Sequence, residues 1–211
     1  MIYTSLAGSG DRLTIALPHR WTEARLADAP LDVTILRNGL YAEIPAGLAL
    51  ASAESAAESG VFAAPMGTGR MSVVAREDLA DIAARIAVGT DADLRAGGRS
   101  RHAGRTYELE GVSAVGGEDI AGALAGALGR PVRYEAASLA DVRAVLTAGG
   151  LEPYQVTHTI SAFSNVNAGL LEQREGDLTA LLEAPPRSVL DLITDTAKTG
   201  GGSSRQAPTG P

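Results

Sequence analysis

The sequence predicts an α/β domain built on a parallel sheet, and three observations predict it. Strand and helix patterns alternate from the first residues, the order expected when a sheet is wrapped by crossover helices. The run Leu31-Asp32-Val33-Thr34-Ile35-Leu36 is β-branched and largely apolar, as a strand covered on both faces must be. The chain is 45% hydrophobic and 20% charged over 211 residues, an ordinary globular balance with enough length for a real core.

In chain order, residues 1–6 read as a short strand and 7–17 as a loop containing Gly8-Ser9-Gly10-Asp11. A helix is expected over 18–28, with Pro18 in its first turn, where a missing N–H costs nothing. Trp21 and Arg25 share one helix face, as do Thr22 and Leu26. The strand at 31–36 follows, then a turn at Arg37-Asn38-Gly39-Leu40-Tyr41 and a helix over 42–58. Residues 61–64 and 72–75 are short strands around the turn Gly67-Thr68-Gly69. Arg76-Glu77-Asp78 opens a helix whose Leu79, Ile82, Ala83 and Ile86 keep helical spacing.

Residues 90–104 are polar and glycine-rich and read as a loop. A strand at 106–109, a helix at 118–128 and a strand at 132–134 come next. Ser138 is a suitable N-cap for the following helix, and Asp141 puts an acid in its first turn. Helices are expected over 153–171, 177–182 and 188–196. Gly200-Gly201-Gly202-Ser203-Ser204 belongs to a tail too poor in apolar residues to fold. Only the first two strands have the character of buried parallel strands, and two alone rarely make a stable sheet.

Composition narrows the function. The net charge is -7 with pI ≈ 5.0, which disfavours a nucleic-acid surface because phosphate binding needs clustered Lys and Arg. There are no cysteines, so disulfide, thiolate and iron-sulfur chemistry is excluded. The only lysine is Lys198, which excludes a Schiff-base or P-loop lysine in the body. His19, His102 and His158 show no ligand spacing, so no metal site is expected. No apolar run has the length of a membrane span and no signal-peptide pattern opens the chain, so a cytoplasmic protein is expected. None of the five tyrosines is followed by Lys four residues later, so no Tyr-x-x-x-Lys proton-donor pair is present.

Four segments together carry a resemblance. They are Tyr3-Thr4-Ser5-Leu6, His19-Arg20-Trp21-Thr22-Glu23, Leu36-Arg37-Asn38-Gly39-Leu40-Tyr41-Ala42-Glu43 and Tyr107-Glu108-Leu109-Glu110-Gly111. Gly129-Arg130-Pro131-Val132, Asp177-Leu178, Leu181-Leu182 and Pro185-Pro186 agree in order. Over roughly residues 2–195 the chain resembles the NmrA-like atypical short-chain dehydrogenases of the bacterial NAD(P)H:quinone oxidoreductase type. The resemblance implies the C-terminal part of a Rossmann-like NAD(P)-binding fold plus a small α/β substrate-side subdomain. It places the Rossmann-like part at 1–60, the mixed α/β subdomain at 61–197 and a disordered tail at 198–211.

Members of that family carry a glycine-rich turn after their first strand, within a stretch that precedes the Tyr-Thr-Ser strand. The fingerprint G-x-G-x-x-G appears nowhere here: Gly8-Ser9-Gly10 continues as Asp11-Arg12-Leu13, and Gly67-Thr68-Gly69 as Arg70-Met71-Ser72. The expectation is therefore a chain lacking the N-terminal portion that grips the pyrophosphate. Its first strand then exposes an edge, to be covered by a second copy or a partner chain.

By resemblance, Tyr3, Thr4 and Ser5 end a central strand near the nicotinamide ribose; the alternative is a strand terminus capped by hydroxyls. Arg37, Asn38 and Gly39 border the nicotinamide, with Asn38 facing its carboxamide and Gly39 permitting close approach; the alternative is an ordinary Asn-Gly turn. His19, Leu40 and Tyr41 line the substrate pocket, with Tyr41 covering a planar quinone, or His19 simply caps its helix. Many relatives carry Lys after the residue matching Glu23, where this chain has Ala24. NADP or NAD is the implied cofactor and a small quinone-like molecule the implied substrate. No catalytic residue is assigned, since hydride transfer needs positioning and protons can come from water. The alternatives are a non-catalytic NAD(P)-sensing regulator and an inactive remnant that needs a partner. Tyr154 and His158 share a helix face and read as packing or surface.

Overall fold

A computed structural model describes residues 1–172 and 175–201. The first strand, β1 (Ile2–Leu6), leads through a 3-10 turn to helix α1 (Ala16–Ala27) and strand β2 (Thr34–Asn38). A single residue, Gly39, separates β2 from β3 (Leu40–Tyr41), which opens helix α2 (Glu43–Ser59). Then come β4 (Val61–Ala64), β5 (Arg70–Val74), α3 (Arg76–Arg95), β6 (Thr106–Leu109), β7 (Ser113–Gly116), α4 (Gly117–Leu128) and β8 (Arg133–Ala136). Helices α5 (Leu139–Ala148), α6 (Pro153–Asn167), α7 (Leu178–Leu181) and α8 (Val189–Gly201) complete the described residues.

The α/β architecture with parallel pairing is as the sequence predicts. The strands form three sheets: β1-β2-β6, all parallel; β3-β5-β7, with β3 and β5 parallel and β7 antiparallel; and the parallel pair β4-β8. The third parallel strand is β6, about seventy residues after β2 in the chain. It is led into place by Gly104, whose N–H donates to the Val33 carbonyl (2.7 Å), and by Thr34, whose hydroxyl donates to the His102 carbonyl (2.8 Å). Strand β1 pairs with β2 on one side, and no strand of the described residues lies on the other.

Two apolar clusters hold these layers. In one, Leu36, Leu109, Leu79, Ile82, Ile86 and Leu178 bury one face of the β1-β2-β6 sheet under α3. In the other, α2, α4 and α8 pack through short side chains. Ala46, Ala49, Ala53 and Ala56 line α2 at helical spacing and let Ile120 and Leu124 of α4 and Ile193 of α8 approach closely.

Several boundaries differ from those expected. Helix α3 runs to Arg95, so the polar stretch at 90–104 is helical over its first six residues; Asp93 pairs with Arg101 at 2.6 Å and folds the shorter loop back. The helix expected over 153–171 stops at Asn167, followed by Gly169 at φ +68, and the Leu171 carbonyl then accepts from the Ser72 N–H of β5. Strand β7 has no apolar alternation to announce it. The segment at 37–41 is strand on both sides of Gly39. Helix α8 runs through Gly201, past residue 198 where the tail was expected to begin, and residues 202–211 lie outside the described residues.

Leu36 sits at the centre of the parallel sheet with no solvent exposure. Leu36→Ala is expected to cost about 2–5 kcal/mol of unfolding free energy, measured as a lower urea midpoint with an unchanged m value.

Candidate active site

Open parallel sheets collect ligands beyond the carboxyl ends of their strands, and here those ends are fixed by a row of charged groups. The register aligns Ser5 with Arg37 and Arg37 with Glu108, so three side chains from β1, β2 and β6 stand side by side on the face under α1. Helix α1 answers with His19 and Glu23, one turn apart, matching Tyr3 and Ser5, two residues apart on the strand. The Tyr3 hydroxyl is hydrogen-bonded to His19 Nδ1 at 3.1 Å, and the Ser5 hydroxyl donates to Glu23 Oε1.

Arg37 grips Glu23 with two nitrogens (3.0 and 2.5 Å) and reaches Glu108 with a third (2.7 Å). Arg20 donates to Glu23 (2.8 Å) and to the Leu6 carbonyl at the end of β1 (2.8 Å). The remaining Glu108 oxygen accepts the Gly8 N–H at 3.0 Å. Burial works to raise the pKa of the Glu23 carboxyl, but the hydrogen bonds from Arg37 and Ser5 and the charges of Arg20 and Arg37 outweigh it, and the group is held below its ordinary 4.5. The hydrogen bonds to Glu23 raise Arg37 above the usual guanidinium value; burial opposes them and Glu108 adds to them.

The candidate residues therefore divide by strand face. Tyr3, Ser5, Arg37 and His19 lie together under α1 with their polar groups bonded to protein. Thr4, on the opposite face of β1, is exposed. Asn38 and Gly39 stand at the end of β2, where the Asn38 carbonyl accepts from Ala7 N–H (2.8 Å). Gly39 leads directly into the second sheet: its N–H donates to the Leu109 carbonyl at 3.0 Å, and a Cβ there would stand 2.9 Å from that same oxygen. Only glycine lets β2 cross the end of β6 so closely. Leu40 and Tyr41 then point opposite ways. Leu40 packs into the core, whereas Tyr41 is exposed under the Arg76 guanidinium, 6.0 Å from its ring centre. His19, Leu40 and Tyr41 are thus in three separate places.

Leu40 lines a cavity of about 410 Å³. Its walls are Leu13, Thr14 and Ile15 before α1, Ile44 and Leu48 of α2, Met71 of β5 and the His158-to-Val166 face of α6. This size and apolar lining suit a small organic ligand. Sequence reasoning missed the cavity because its walls come from four distant stretches, and of the pair Tyr154 and His158 that shares a helix face only His158 lines it. A depression of about 520 Å³ lies between Arg70 and Arg187, whose charges are already answered by Asp119 and Asp78.

No protein-family model matches the chain. Quinone oxidoreductase 2 of Escherichia coli (strain K12) is 37% identical over 150 residues, 71% of this chain and 48% of that protein. The crystal structure of the E. coli NADPH-dependent quinone oxidoreductase complexed with NADPH superposes with a TM-score of 0.73 at 31% identity, over 92% of this chain and 64% of the other. Triphenylmethane reductase of Citrobacter sp. shares the fold, with a TM-score of 0.75 at 20% identity, over 92% and 64% of the two chains. The chain spans about half the length of quinone oxidoreductase 2.

Glu23 ties β1 and β2 to α1 through Ser5 and Arg37, so Glu23→Gln should cost about 1–3 kcal/mol at neutral pH. Because the folded-state pKa is depressed, that contribution is complete above 4.5 and is lost as pH falls through the lower folded value. The stability gap between wild type and Glu23→Gln should therefore narrow in acid, read from urea denaturation at stepped pH.

Proposed function

We propose that this chain, an NmrA-like homologue of E. coli quinone oxidoreductase 2, serves NAD(P)H-dependent reduction of a small quinone-like molecule. One observation carries the reading: the three consecutive residues Asn38, Gly39 and Leu40 run from the end of the parallel sheet straight into the wall of the apolar cavity. A nicotinamide lying at the strand ends and a ring substrate in the cavity would then be neighbours, as hydride transfer requires.

The nicotinamide supplies the hydride; the residues described here bind and orient. Thr4, Asn38 and Gly39 would meet its ring and ribose. Tyr3, Ser5 and Arg37 act by position, since their bonds to His19, Glu23 and Glu108 hold the strand ends in register. Tyr41 and His19 lie outside the cavity lining. The phosphates do not fit what is present: the 211 residues contain no G-x-G-x-x-G turn, and a pyrophosphate is held by backbone amides at such a turn. That grip must come from outside these residues. The side of β1 that pairs with no strand of the described residues is where a neighbouring strand, from a second copy or a partner chain, would add. A cytoplasmic location, where nicotinamide cofactors are regenerated, belongs to the same reading. Among the described residues, no helix is long and apolar enough to cross a membrane.

The test is quinone-dependent oxidation of NADPH by the protein purified from its own host, followed by loss of NADPH absorbance. Turnover well above the uncatalysed rate is expected, with Asn38→Leu lowering it at least tenfold, the scale set by losing one oriented polar contact. NADPH binding without turnover would convert the reading to a dinucleotide sensor, and neither binding nor turnover would end it.

A further inference from the structure

We infer that His158, held by Thr14 at the wall of the apolar cavity, is the hydrogen-bonding anchor for a planar ring ligand that carries a carbonyl or hydroxyl oxygen; this rests on reading the cavity as the substrate site. The polar side chains among the lining residues are Thr14, His158 and Thr159. Thr159 is already used, since its hydroxyl donates to the Gln155 carbonyl within α6 at 2.9 Å. Thr14 Oγ1 and His158 Nδ1 bond each other across 144 residues of sequence. Nε2 is then the ring nitrogen with no hydrogen bond among the described residues. The Tyr154 ring packs edge-on against the imidazole at 5.9 Å and 78°.

The pair has a property that suits redox chemistry of a ring oxygen. A threonine hydroxyl both donates and accepts, and a neutral imidazole carries its proton on either nitrogen. When Thr14 donates to Nδ1, Nε2–H is a donor and fits a carbonyl oxygen. When Nδ1–H donates to Thr14, Nε2 is an acceptor and fits a hydroxyl. The same two side chains thus match the oxidised and the reduced form of one ligand with a rotation of a hydroxyl and a change of tautomer, and with no movement of heavy atoms. The remaining wall, including Leu13, Leu40, Met71 and Phe163, offers only apolar contact, so the ring body is bound by burial and its orientation by this one polar point.

The experiment titrates the purified chain with menadione and with 2-methylnaphthalene, the same ring system without oxygens, by equilibrium dialysis. His158→Leu is expected to weaken menadione by about 5–20-fold, the worth of one oriented hydrogen bond, while leaving 2-methylnaphthalene within about twofold. Thr14→Val should weaken menadione with the same selectivity. Gly47 lines the cavity, and a Cβ there meets nothing within 4 Å, so Gly47→Leu fills the space and should abolish binding of both. The unaltered 2-methylnaphthalene affinity shows that His158→Leu and Thr14→Val fold, and an unchanged urea midpoint shows it for Gly47→Leu. The inference is overturned if His158→Leu weakens both ligands alike or neither, if Gly47→Leu leaves menadione bound, or if the wild-type chain binds neither ligand. No cofactor enters the titration, so a failure of NADPH-driven turnover leaves this result readable.

Discussion

The bidentate grip of Arg37 on Glu23, extended to Glu108, is the interaction on which the rest of the structure depends. It links β2 to α1 and to β6 in one step. Parallel strands that arrive from distant parts of a chain have no hairpin to fix their register. Here the register is fixed by charge: one residue out of step, and Arg37 would face α3 and the apolar cluster around Leu36 and Leu109 instead. An unpaired guanidinium in that layer would cost far more than the network contributes. The network therefore selects one alignment of the sheet, and with it the position of the strand ends where a ligand would lie.

That role also shows what was legible in the sequence. The α/β class, the first strand, the helix over 42–58 and the Ser138 cap follow from local pattern, because they depend on periodicity and on the chemistry of single residues. The joining of β6 to β1 and β2 does not, since nothing near Thr106 says which strand it will meet. Strand β7 is four residues of small side chains and declares itself only by pairing with β5. The polar, glycine-bearing stretch at 90–104 looks like a loop, yet its first residues continue α3 with Arg95 paired to Asp91 on its surface.

The candidate residues can be named from the sequence, but not how they are arranged. Tyr3, Thr4 and Ser5 are consecutive, and period-two alternation sends the first and third under α1 and the second to the surface. Leu40 and Tyr41 are separated by the same rule. A resemblance identifies which segments gather at the strand ends, but which atoms are committed to neighbouring side chains is decided by tertiary partners such as His19 and Glu23. The cavity beside Leu40 needed α6 to be placed against α2 before it existed at all.

Gly39 carries one last consequence. Because a single residue separates the end of one sheet from the start of another, the segment bordering the strand ends and the floor of the cavity are covalently bound neighbours that cannot drift independently. A change at this junction would shift both at once, whereas the stretch before α1 and α6 reach the same space from far along the chain and do not form the crossing beneath them.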